Sequence, residues 1–152
     1  MWPTIIVVLV IAMMVGPVML MKPTRAQKHL ALLRKQAQTL GLKVGASDVK
    51  GEGGQLCWFY WLPLNTDNGP APVVLERQKY EHGLHIAKYW LVKGRTPTEP
   101  QLWESFLAKL PDSVYAVELN DHALGVHWNE RGGDAVLEQL ANQLKAFASP
   151  LV

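Results

Sequence analysis

Cysteine occurs once in the 152-residue chain, at Cys57, so no disulfide framework holds the fold together. Charge is also scarce. Asp, Glu, Lys and Arg make up 18% of the residues, below the ~25% usual in soluble domains. None of that charge precedes Lys22, and Asp48 is the only carboxylate before Glu52. Together these shortages exclude a small disulfide scaffold, a disordered polar chain and a plain soluble domain.

Several chemical signatures are missing too. No G-x-S-x-G elbow surrounds a serine, and Ser47, Ser105, Ser113 and Ser149 have no nearby histidine. The glycine-rich turns Gly51-Glu52-Gly53-Gly54 and Gly132-Gly133-Asp134 match neither G-x-x-x-x-G-K-[ST] nor G-x-G-x-x-G, the patterns that cradle phosphates. The histidines at 29, 82, 85, 122 and 127 do not converge at metal-ligand spacing. His127 points away from the strand face shared by His122, Leu124, Val126 and Trp128, and an extended hairpin splays His82 from His85. Cys57 sits in the most apolar strand without a basic neighbour, the setting of an inert thiol whose pKa is raised by burial. The expectation is a domain without catalysis, metal, cofactor or small-molecule ligand.

What is present begins with an uncharged run. Trp2–Met21 is long enough, as a helix rising about 1.5 Å per residue, to cross the ~30 Å hydrocarbon core of a bilayer. Trp2 suits the headgroup level, and Pro3 suits a first helical turn. A cleaved signal peptide needs a positive n-region and a small-x-small cleavage site, and the run has neither. Residues 1–21 therefore read as an uncleaved transmembrane anchor. Ala12 and Gly16 have the small-xxx-small spacing that allows close helix packing.

The charge that follows is one-sided. Lys22, Arg25, Lys28, Arg34 and Lys35 crowd the downstream flank, and nothing positive precedes the run. By the positive-inside rule the N-terminus lies outside and residues 22–152 are cytoplasmic, the topology of a single-pass protein of an inner (cytoplasmic) membrane. Residues 1–50 hold seven cations against Asp48, whereas residues 51–152 hold eight against twelve acids. The pI near 8.7 thus describes a basic stem joined to a mildly acidic domain. Such a domain does not suit nucleic acid, while the stem suits a bilayer surface.

Thr24-Arg25-Ala26-Gln27 has the form of a capping box. Ala26, Leu30, Leu33, Ala37 and Leu40 then form one apolar stripe, and Gly41 suits a C-cap. Residues 22–41 read as a basic amphipathic stem. Strands are expected at 42–48, 55–62, 73–80, 84–92, 113–119 and 122–128, with turns at Asn68-Gly69, Glu81-His82-Gly83 and Asn120-Asp121. Helices are expected after a second capping box, Thr98-Glu99-Pro100-Gln101, and after a capping Asp134. The result is an α+β domain over 42–152, with a mainly antiparallel sheet of about six strands and helices on one face.

Twelve aromatic side chains crowd this domain. In the strand 55–62, Trp58 and Tyr60 share one face, and Phe59 and Trp61 share the other. One face packs on helices and the other is a candidate interface. Trp58, Tyr60 and the polar turn residues Asn129, Glu130 and Arg131 form the candidate interaction surface.

Residues 20–54 resemble YajC, the small accessory subunit of the bacterial preprotein translocase. The matching text is Met21-Lys22-Pro23-Thr24-Arg25-Ala26-Gln27-Lys28, then Leu40-Gly41-Leu42-Lys43-Val44, then Gly53-Gly54. Lys22-Pro23-Thr24 stands where that family has R-P-Q, and Gln55-Leu56-Cys57 replaces its continuation after the glycine pair. The resemblance implies a translocase accessory subunit. The residues alone suggest a domain for binding within a membrane complex, or, from another class, a tethered small-ligand binder or enzyme.

Overall fold

The structure is a computed structural model that describes residues 1–65, 69–80 and 85–151. The chain divides into two compact units, Met1–Leu32 and Leu33–Val152. The expected turns at Asn68-Gly69 and Glu81-His82-Gly83, and His82 with them, fall wholly or partly outside the described residues.

The first unit holds helix α1 (Trp2–Leu20) and the start of helix α2 (Arg25–Thr39). No residue of α1 is buried. Its 19 residues include an 18-residue stretch of mean hydropathy 2.5, long and apolar enough to cross a membrane, a test that a signal sequence also meets. The first capping box forms as written: Gln27 N–H donates to Thr24 Oγ1 at 3.2 Å, and Thr24 N–H donates to Gln27 Oε1 at 2.9 Å. Two orphan donors at the start of α2 are thereby satisfied.

The second unit is the α+β domain. Its elements are β1 (Lys43–Lys50), β2 (Leu56–Pro63), β3 (Val73–Arg77), β4 (His85–Ile86), β5 (Trp90–Gly94), helix α3 (Pro100–Ala108), β6 (Val114–Asn120), β7 (Ala123–Trp128) and helix α4 (Gly133–Ala148). The strands form one curled antiparallel sheet in the order β1-β2-β7-β6-β3-β5-β4. There are seven strands where six were expected, because the strand expected at 84–92 breaks. Ala87 and Lys88 take φ of 51° and 70°, in the left-handed region. That reverses the chain between β4 and β5.

Two cap expectations fail. At α3 the side chains of Thr98 and Gln101 do not close a box; Glu99 is the N-cap without a side-chain bond, and Pro100 opens the helix. At α4 the N-cap is Gly132, whose φ of 100° suits only glycine, and Asp134 lies in the first turn rather than capping it.

Strand alternation sorts the core. Tyr60, Val126, Trp128, Val117 and Leu75 lie on one face, all with 0% exposure. Leu33 and Ala37 of α2, Phe106 and Leu107 of α3, and Leu137, Leu140 and Leu144 of α4 are buried as well, with α4 lying against β2 and β7 and α3 against β4. The opposite face carries Phe59, Trp61, Glu118 and Glu76, all half-buried.

Candidate functional site

Five polar or aromatic side chains meet where α2, β2 and the turn after β7 come together. Arg34 reaches Glu130 with two parallel hydrogen bonds, Nε to Oε1 at 2.7 Å and the terminal nitrogen to Oε2 at 2.8 Å. Tyr60 donates its hydroxyl to the same Oε1 at 2.7 Å. The Arg34 guanidinium lies 3.6 Å from the centre of the Trp58 ring, and Tyr60 meets Trp128 edge-on. A planar fork that is bidentate on one side and stacked on the other suits arginine and not lysine.

Burial sets the electrostatics of this cluster. Glu130 keeps 5% of its side-chain exposure and Arg34 keeps 28%. The hydrogen bond to Glu130 raises the Arg34 pKa further. Burial, then the neighbouring carboxylate, pushes the Tyr60 hydroxyl well above its ordinary value. Glu130 holds φ of 61°, uncommon for a residue with a side chain.

The turn around it is closed by its own side chains. Arg131 N–H donates to Asn129 Oδ1, and Asn129 Nδ2 donates to Gln55 Oε1. Trp128 Nε1 donates to Ser113 Oγ and to the Arg131 carbonyl.

Trp58, Tyr60, Asn129, Glu130 and Arg131 are therefore neighbours. Tyr60 and Glu130 are not surface, however. Tyr60 lies on the helix-covered face, and its hydroxyl and the Glu130 carboxylate satisfy each other inside the domain. Arg34, assigned by sequence to the membrane-flanking charges, also belongs to this cluster. Lys22, Arg25, Lys28 and Lys35 are exposed. Ala12 and Gly16 are exposed as well, and a Cβ built on Gly16 would touch nothing.

A second constellation lies on the opposite sheet face. Ser47 Oγ sits 2.7 Å from His127 Nδ1. His127 Nε2 comes within 3.0 Å of Glu118 Oε1, but off the line of a hydrogen bond. His127 is 3% exposed and stacks on Phe59, which stacks on Trp61. Gly125 makes room for the Phe59 ring and Trp61 Cβ, since a Cβ there would fall 2.6 Å from the ring and 2.7 Å from Trp61 Cβ.

The expectation that no serine lies near a histidine is corrected here. Gly45 pairs with Phe59 and Phe59 with His127, so alternation along β1 places Ser47 on the His127 face, just where the pairing of β1 with β2 begins to shift register between Ala46 and Lys50. Alternation along β7 correctly set His127 apart from Val126 and Trp128. Only strand pairing could bring it a partner 80 positions away.

Cys57 is buried in β2, and burial pushes its thiol above the ordinary value, as expected. Among the described residues no group of three or more His, Cys, Asp or Glu could hold a metal. Clefts of about 440 and 600 Å³ share Arg77, Gln78, Lys79 and Asp112. Arg77 is held between them by Asp112, by the Leu110 and Pro111 carbonyls and by the Trp90 ring. Comparison with protein-family models, curated proteins and solved structures finds no match.

Proposed function

We propose that the protein is a single-pass membrane protein whose α+β domain binds a protein component of a membrane complex. The observation that carries this reading is α1, a helix with an 18-residue stretch of mean hydropathy 2.5 and none of its residues buried in the protein. A helix that apolar, left without protein cover, calls for a bilayer. The one-sided charge after it supports an N-terminus outside and a domain in the cytoplasm of a bacterium.

Paired reporter fusions test the topology. A C-terminal GFP fusion is expected to fluoresce and a C-terminal alkaline phosphatase fusion to stay inactive; the reverse pattern overturns it. Affinity purification in mild detergent is expected to recover a defined membrane complex, and a partner-free monomer counts against the reading. The likeness of residues 20–54 to YajC makes the preprotein translocase the first partner to test. Crosslinks from the domain to the translocation channel support that identity, and their absence removes it.

One contact favours a second reading, a tethered enzyme acting through a serine. Ser47 Oγ lies at hydrogen-bond distance from His127 Nδ1, the arrangement in which a histidine takes the hydroxyl proton as serine attacks. A fluorophosphonate probe that labels Ser47 in the native chain but not in H127Q supports it. A probe that leaves Ser47 unmodified removes it.

A further inference from the structure

We infer that the first turns of α2 form a second membrane contact, a face that binds anionic phospholipid headgroups through Lys22, Arg25 and Lys28 and inserts Leu32. The inference rests on the anchored reading above and adds to it a lipid class and a docking face.

Three of the four residues share one side of α2. Arg25, Lys28 and Leu32 follow one another at spacings of three and four, which stacks them along one face of the helix. Lys22 precedes that face by three residues. The apolar stripe that begins at Ala26 and Leu30 lies on another side, so the cationic face is not the one that packs. All four residues are exposed, Leu32 to 65%.

Among the described residues Lys22, Arg25 and Lys28 make no ion pair. They do not serve their own helix either. The first turn of an α-helix carries partial positive charge and favours carboxylates, yet the first turn of α2 holds no acid. Arg25 and Lys28 lie at the end of the helix dipole that disfavours them. Thr24 and Gln27 already complete the cap, so the helix start needs no further stabilisation. Arg34 is the contrast: the same helix, further on, pairs its cation with Glu130.

A cluster of cations beside an apolar span, with an exposed leucine among them, matches the lipid–water boundary. Cations meet phosphate oxygens there, and the leucine reaches the acyl chains. Only Pro23 and Thr24 separate Lys22 from α2, and only Met21 separates it from α1, which keeps the face within reach of the headgroups of the leaflet that α1 would leave. Residues 51–152 carry an excess of acid and so add no attraction to an anionic surface. Recognition therefore falls to the stem. Each cation near such a surface strengthens association about five-fold, so losing all three weakens it about a hundred-fold.

The test uses the full-length chain with Leu32→Cys, reconstituted in bilayers and labelled there with a nitroxide. Cys57 is 3% exposed with a raised thiol pKa, and the native chain treated in parallel checks that it stays unlabelled. Collision rates with oxygen and with a water-soluble nickel chelate report whether position 32 lies in lipid or in water. In phosphatidylcholine containing phosphatidylglycerol the label is expected in lipid. In phosphatidylcholine alone, at high salt, or with Lys22→Gln, Arg25→Gln and Lys28→Gln combined, it is expected in water. A label equally wet in both bilayers overturns the inference. A label equally buried in both overturns it too, because depth would then follow from tethering and not from headgroup charge. Alkaline extraction of the same membranes tests the anchor separately. A chain that is released loses the anchored reading, while the dependence on phosphatidylglycerol still decides the lipid contact.

Discussion

Arg34 and Glu130 are 96 positions apart in sequence and joined by two hydrogen bonds of 2.7 and 2.8 Å. The pair ties the second half of α2 to the turn between β7 and α4. It is also the acceptor site of Tyr60, so three elements depend on one carboxylate. Glu130→Ala strands a stacked guanidinium and a buried hydroxyl together. The expected loss is about 2–4 kcal/mol in urea unfolding, toward the lower end because Arg34 is partly solvated. Glu130→Gln keeps an acceptor for Tyr60 and is expected to lose less. An E130A domain as stable as the native one would refute the role given to the pair.

Gly125 is a packing requirement rather than a flexible joint. A Cβ there would meet the Phe59 ring and Trp61 Cβ well inside contact distance. Gly125→Ala is expected to cost about 1–3 kcal/mol, the range of overpacked cores. Phe59→Leu in the same chain should recover part of that loss, and a double-mutant cycle gives the coupling. Strict additivity of the two changes would show that the ring is not what excludes the methyl group.

Stability should fall in alkali. Burial raises the pKa of both Cys57 and Tyr60 in the folded domain. Above the ordinary thiol value, and again above the ordinary phenol value near about 10, the unfolded chain releases protons that the folded chain keeps. The unfolded state then binds fewer protons, so unfolding free energy declines as pH rises. Unfolding curves across the alkaline range are expected to show this decline. Cys57→Ala and Tyr60→Phe should each flatten the part that belongs to that residue. A flat profile in the native chain would contradict the burial of both groups.

Ser47→Ala removes the partner of a buried imidazole nitrogen and the acceptor of the Val49 N–H. A buried polar group left unsatisfied costs about 1–3 kcal/mol. Thermal unfolding should register a loss of that order. No change would mean that water replaces the hydroxyl and that the bulge in β1 stands without it.

Local features were legible in the sequence and distant ones were not. The stem helix could be read because its stripe, its capping box and Gly41 all act within a few residues of one another. The sheet was readable as antiparallel with helices on one face, since hairpin turns and amphipathic helices declare those faces. The break at Ala87 and Lys88 was not, because neither residue type marks left-handed backbone. The caps of α3 and α4 were misread, as the Thr98 and Asp134 patterns suit a cap that other residues provide. Trp58, Tyr60 and the Asn129–Arg131 turn were singled out together and do lie together. Glu130 is the turn residue that meets Arg34, and no local pattern says that a stem arginine reaches a turn 96 positions away. Parity set His127 apart from Val126 and Trp128, but its closeness to Ser47 depends on how β1, β2 and β7 pair.

The register shift in β1 also shapes the rim of the sheet. β1 is one of two outermost strands, and a regular outermost strand offers its free amides and carbonyls to any extended chain that approaches. The shift in register between Ala46 and Lys50 interrupts that row, and Lys43, Asp48 and Lys50 line it with exposed charge. At the opposite rim β4 is two residues long, too short a template to recruit a neighbour. Copies of the domain meeting edge to edge would find no regular strand to extend, so both rims of this sheet resist polymerising.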